Sequence, residues 1–272
     1  MSAPARTSAP PRVSAPPRFR VEGPEDAPVL LLSGSLGSTL EMWEPQAAAL
    51  ARTHRVVRYD HPGHGGSELP ETPTSIAGLA QAPLALLDAI GVARASVCGL
   101  SLGGMVAMWL AAHHPERVER LVLCCTSAAL GPPATWEQRA AEVRAAGSVE
   151  PLADAVLARW LTPAYRAAHP AVAARLRALV AQTPAEGYAR CCDAIRDWDG
   201  RDLLGAIRAP TVVVAGREDP STPPEHAEAI VAGVVGARLE LLSPAAHLAS
   251  VEQAAAVNRI VAEHLSDGGG TG

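Results

Sequence analysis

Hydrophobic positions along this chain fall into two alternating patterns. Short apolar, β-branched runs stand at Val29–Leu32, Arg55–Tyr59, Ala95–Cys98, Leu121–Cys124, Thr211–Ala215 and Leu239–Leu242. They read as strands. Longer Ala/Leu stretches stand at Pro45–Arg52, Ser75–Ile90, Gly103–His113, His226–Val234 and Val251–Leu265, and read as helices. Strands alternating with helices predict βαβ units and a mostly parallel central sheet flanked by helices. Phe19–Glu22 reads as one more short strand, and Pro83 is expected to kink the second helix.

The alternation stops between 128 and 207. That stretch is rich in Ala and Arg, reads as helical throughout, and holds Trp136, Trp160 and Trp198. An all-helical insertion between late strands predicts a cap over one end of the sheet. The expected layout is therefore a core made of 19–127 and 208–265, with a cap at 128–207. The first eighteen residues repeat Ser-Ala-Pro at Ser2, Ser8 and Ser14, with an arginine in each unit. Proline at that density excludes a helix or a central strand and predicts a disordered tail over 1–18. Residues 266–272, ending in GGGTG, read as a second flexible tail.

Composition narrows the function classes. The chain has 272 residues and a formal net charge of −5, and all 23 of its basic residues are arginine. That charge argues against nucleic acid as a partner. No apolar run approaches the roughly 18 residues of a membrane span, and the start lacks the apolar segment of a signal peptide. Five cysteines, four of them in two adjacent pairs, have no metal-ligand spacing; they read as reduced thiols in a cytoplasmic protein. The 54 alanines mean that the core is built from small side chains together with Leu and Val.

The sharpest chemical signal is Gly99-Leu100-Ser101-Leu102-Gly103, lying between a strand and a helix. In that context G-x-S-x-G reads as a nucleophile elbow, which lifts a strained serine above the sheet and needs small neighbours. A serine hydroxyl needs a base, and the base needs an orienting acid. On this architecture they follow in the order serine, acid, histidine. The loop after Thr211–Ala215 offers Glu218 and Asp219. Asp219 is the expected acid, because a short carboxylate on a Pro-bounded turn is easier to hold rigid. The loop after Leu239–Leu242 supplies His247. Two backbone N–H groups should bind the oxyanion, those of Leu36 and Leu102. His61 and His64, after Tyr59, read as structural or rim residues. His113 and His114 read as partners of a helix C-terminus.

With these residues in place, 21–265 resembles the α/β-hydrolase superfamily, and within it the 3-oxoadipate enol-lactonases of aromatic catabolism. The stretches that carry the resemblance include LLSGSLGSTLEMWEPQ, RYDHPGHGGS, ASVCGLSLGGMVAMWLA and PTVVVAGREDPSTPP, together with the cap segment PPATWEQRAAEVRAAG. The chain departs from the pattern at Pro62, where relatives often carry arginine, and in its shortened first β-hairpin. The resemblance implies attack by Ser101 on a lactone carbonyl, an acyl-enzyme, and no metal or organic cofactor. It also implies that Arg139 and Trp136, in the cap, hold the substrate carboxylate, with arginine as a bidentate partner and the indole as an N–H donor. A sibling esterase or C–C bond hydrolase would use the same triad, and a hydrolase-like binding protein is the reading from another class.

Overall fold

The computed structural model describes residues 16–71 and 74–266. Most of the expected N-terminal tail, and 267–272 of the C-terminal one, lie outside the described residues.

Seven strands form one sheet: β1 (Phe19–Glu22), β2 (Val29–Ser33), β3 (Arg55–Tyr59), β4 (Ala95–Leu100), β5 (Val118–Cys124), β6 (Thr211–Gly216) and β7 (Arg238–Leu242). Their order is β1-β3-β2-β4-β5-β6-β7. Only β1 runs antiparallel, pairing Phe19 with Tyr59 at the sheet edge. The other pairings are parallel, as the alternation of strands and helices predicted. Every residue of β4 and of β6 is buried, which is why both read as near-continuous apolar runs.

Around the sheet lie α1 (Glu44–Leu50), α2 (Ile76–Ala89) and α3 (Leu102–His113). Ser75 caps α2 by accepting the Gly78 N–H at 3.0 Å. A single helix runs through Pro83, whose ring is buried against the core. Between β5 and β6 come five helices: α4 (Pro133–Ala146), α5 (Ala153–Trp160), α6 (Pro163–Ala168), α7 (Pro170–Ala181) and α8 (Ala185–Arg196). The two ends of this insertion are stitched together. Ala129 bridges Asp199, the Gly200 N–H donates to Ala128 O at 2.7 Å, and the Trp198 indole donates to Ser127 O at 3.0 Å. The insertion therefore leaves and rejoins the core at one place. The chain closes with α9 (Pro224–Gly233), α10 (Ala249–Glu252) and α11 (Ala254–Ser266). The last two were expected as one helix. They separate at Gln253, whose side chain instead donates to Pro244 O at 2.8 Å.

Arg18 was expected in the tail, but it is anchored. Its N–H donates to Ser67 Oγ at 2.9 Å and its guanidinium to Asp60 at 2.8 Å and Glu41 at 2.6 Å. Arg18 thereby reaches the buried Asp60 of the loop after β3. Among the described residues, all five cysteines are free and buried, and no helix is long and apolar enough to cross a membrane.

The crossing of α3 over the sheet depends on backbone against backbone. A Cβ on Gly103 would sit 2.1 Å from Ser33 O, whereas one on Gly205 would meet nothing within 4 Å. Gly103→Ala should therefore cost about 3 kcal/mol or more, and Gly205→Ala should change stability by less than about 0.5 kcal/mol. Urea unfolding midpoints of the two variants check the contrast.

Candidate active site

The elbow forms because β4 ends against α3 with no room for side chains. Ser101 has φ 56° and ψ −115°, one of two non-glycine residues with positive φ among those described. A Cβ on Gly99 would fall 2.2 Å from Gly103 O. Hydrogen bonds hold the strained turn. Ser101 N–H donates to Cys124 O at 3.0 Å, Thr126 Oγ1 donates to Ser101 O at 2.7 Å, and Gly103 N–H donates to Gly34 O at 2.9 Å.

The acid and the histidine arrive on the loops after β6 and β7. His247 Nδ1 lies 2.8 Å from Asp219 Oδ2. The carboxylate also accepts from Ser221 N at 2.7 Å, Thr222 N at 3.1 Å and Thr222 Oγ1 at 2.7 Å. Burial alone would raise the Asp219 pKa. The His247 charge and the bonds from His247 and Thr222 outweigh it and keep the pKa below the ordinary value. Glu218, the other acid of that loop, braces the histidine loop instead, accepting from Ser243 Oγ and Ala245 N, each at 2.7 Å. Ser101 and His247 line one cavity of about 230 Å³ but are not hydrogen-bonded to each other. In unliganded sites this contact is often loose and tightens on binding.

Of the two expected oxyanion donors, Leu36 lines this cavity and Leu102 directly follows Ser101. Of the consecutive N–H groups from Ser35 to Ser38, Ser35 donates to Met42 Sδ, Gly37 to His64 Nε2 and Ser38 to Ser35 O. Among the described residues, the Leu36 N–H has no partner, and neither has that of Leu102 at the first position of α3. His61 and His64 are buried beneath this loop. Burial lowers their pKa values to about 4 and about 3, with His61 pushing His64 further down.

From the cap, Leu130, Trp136, Arg139, Arg159, Trp160 and Tyr188 complete the cavity wall. Trp136, expected as an N–H donor to the substrate, lines the cavity with that N–H already engaged. Its indole N–H is spent on Leu130 O at 3.0 Å, and its ring carries the Arg139 guanidinium at 4.7 Å. Arg159 was missed in the sequence. Elsewhere in the cap, Arg144, Arg177, Arg190 and Arg196 pair with carboxylates. Among the described residues, Arg139 and Arg159 have no carboxylate partner, and both line the serine's cavity. Burial and the nearby Arg139 charge lower the Arg159 pKa. Among the described residues, no group of His, Cys, Asp and Glu is placed to hold a metal ion.

The family model described as the alpha/beta hydrolase fold matches residues 27–254. The chain belongs to the α/β-hydrolase fold family. This α/β-hydrolase is 38% identical to 3-oxoadipate enol-lactonase 2 of Acinetobacter baylyi, over 88% of this chain and 89% of that protein. It is 33% identical to RutD of Variovorax paradoxus, named as a candidate carbamate hydrolase, over 91% of this chain and 95% of that one. The crystal structure of the enol-lactonase from Burkholderia xenovorans LB400 superimposes with a TM-score of 0.89 at 41% identity, covering 92% of this chain and 96% of that one.

The buried histidines give this α/β-hydrolase a pH signature. The unfolded chain protonates both near pH 6.5, whereas the folded chain does so only near 4 and 3. Stability should hold above about pH 6.5 and fall as pH drops toward 4, by up to about 2.7 kcal/mol per pH unit for two protons. Asp219, also lowered, acts in the same direction but only in the more acidic carboxylate range. Urea unfolding between about pH 7 and pH 5 measures the slope, and His64→Gln should roughly halve it.

Proposed function

We propose that this hydrolase opens 3-oxoadipate enol-lactone to 3-oxoadipate. The observation that carries the reading is the placement of two arginines without acid partners on the wall of the cavity that holds Ser101 and His247. Such a wall suits an ester that also bears a free carboxylate, and ring opening creates a second one. The enol-lactonase relatives support the same substrate class.

In this mechanism Ser101 Oγ attacks the lactone carbonyl carbon while His247 Nε2 takes its proton. Asp219 holds the Nδ1–H tautomer and stabilises the imidazolium. The N–H groups of Leu36 and Leu102 receive the oxyanion. The tetrahedral intermediate collapses by breaking the ring C–O bond. The leaving oxygen departs as an enolate, a better leaving group than an alkoxide, and takes up the proton from His247. It stays tethered in the acyl-enzyme. Water, deprotonated by His247, then adds to the acyl carbon; the acyl–Oγ bond breaks, Ser101 Oγ takes the proton back from His247, and the released enol tautomerises to 3-oxoadipate. Arg139 and Arg159 hold the free carboxylate, and the Trp136 ring supports the Arg139 guanidinium. The partner is this small-molecule lactone, and the reading places the chain in aromatic catabolism in the cytoplasm.

Ultraviolet decay of the enol-lactone, run beside simple aryl esters and a carbamate, tests the proposal. Selective turnover of the lactone is expected, and Ser101→Ala should remove it by several orders of magnitude. Arg139→Met and Arg159→Met should each raise KM for the lactone roughly tenfold to a hundredfold, the worth of one charge-assisted hydrogen bond. Neither should affect KM for the lactone's methyl ester. Preferred turnover of aryl esters or the carbamate, or equal effects on acid and methyl ester, would refute the assignment.

A further inference from the structure

Beneath the loop that carries the Leu36 N–H lie two buried histidines that the mechanism does not use. His61 Nε2 is 2.9 Å from Gly34 O, and His64 Nε2 is 3.1 Å from the Gly37 N–H. The loop is therefore gripped on both sides of Leu36. The tautomers follow from these contacts. Gly34 O can only accept, so His61 Nε2 carries its proton. The Gly37 N–H can only donate, so His64 Nε2 carries a lone pair and its proton sits on Nδ1, 3.4 Å from Pro62 O.

The grip matters because of Gly37. Its φ is +75°, and glycine accepts either sign of φ at little cost. The Leu36–Gly37 peptide can therefore flip cheaply. A flip would aim the Leu36 carbonyl at the lone pair of His64 and release the hold on the loop at the Gly37 side of Leu36. With the acceptor in place only one orientation is favourable. An apolar side chain could fill the same space, but it would leave the Gly37 N–H buried and unpaired.

The cap closes over this arrangement. A Cβ at Gly187 of α8 would fall 1.9 Å from Gly63 O, and one at Gly37 would fall 3.0 Å from the Tyr188 ring. Helix α8 thus backs both the histidine loop and the loop it grips, and neither can swing outward while the cap is seated.

We propose that His64, with His61 beside it, is a positioning residue of the oxyanion hole: His64 Nε2 holds the Gly37 N–H while His61 holds Gly34 O, so the short loop between them keeps the Leu36 N–H pointed at the developing oxyanion. This rests on the reading of Ser101 as nucleophile and Leu36 as oxyanion donor. It is independent of which ester is the substrate.

Two near-isosteric variants test it. The carbonyl of His64→Gln can reach the Gly37 N–H, and that of His64→Asn is too short. With nitrophenyl acetate, His64→Asn should lower kcat roughly tenfold to a hundredfold, somewhat less than outright loss of an oxyanion donor, with KM unchanged. Affinity for a trifluoromethyl ketone, which places an oxyanion in the hole, should fall in parallel, while inhibition by adipate should not change. His64→Gln should stay within about threefold of wild type. The proposal is overturned if His64→Asn keeps its kcat and ketone affinity, if adipate affinity falls together with ketone affinity, or if His64→Gln loses as much as His64→Asn. Should the asparagine variant not fold, long-range proton–nitrogen spectra of the wild-type histidines decide, since an Nε2–H tautomer at His64 would overturn the proposal. If wild-type Ser101 is not labelled by a fluorophosphonate, it is the nucleophile reading that fails.

Discussion

The site depends on one constraint, the contact of bare backbone with bare backbone around Ser101. A non-glycine residue at positive φ costs on the order of 1–3 kcal/mol, and nothing local to Ser101 relieves that cost. The surroundings do. Gly99 and Gly103 let β2, β4 and α3 approach until a single added methyl would collide. The hydrogen bonds from Ser101 N–H, Thr126 Oγ1 and Gly103 N–H then hold the turn closed. The same contact that strains the serine brings the Gly34–Leu36 loop beside the start of α3. Ser101 and the backbone of Leu36 and Leu102 are thus set by one packing event, and Asp219 and His247 arrive on the neighbouring strand ends.

The cap adds charge to a site that the core leaves polar but neutral. Arginine is the chain's sole cationic side chain apart from histidine, and most cap arginines are neutralised by nearby carboxylates. Arg139 and Arg159 are half-buried without such partners among the described residues, and burial and the nearby Arg139 charge lower the Arg159 pKa, so bringing this charge out of water carries a cost. An anionic ligand reverses that penalty. In the proposed function this cap charge favours an ester that also bears a free carboxylate.

Much of this was legible in the sequence because it rests on local pattern. Runs such as Thr211–Ala215 give the sheet away, and a G-x-S-x-G stretch between a strand and a helix has few other uses. Choosing Asp219 over Glu218 on the rigidity of a short side chain agrees with the three donors that grip it from Ser221 and Thr222. What stayed hidden depends on contacts distant in sequence. No periodicity says that Arg159, at the end of α5, faces the cavity rather than solvent. Trp136 could not be seen to spend its N–H on Leu130, nor Arg18 to reach across to Asp60. His64 looked structural because its partner, the Gly37 N–H, lies 27 positions away.

The most direct test of the account is to mix the protein with the enol-lactone, quench in acid within a turnover, and weigh the protein and its peptides. Opening a ring loses no atoms, so an acyl-enzyme must carry the full mass of the lactone. The account predicts that mass on the peptide containing Ser101, and none in Ser101→Ala. Turnover without any adduct under conditions that trap acyl-enzymes, or an adduct on another residue, would contradict it.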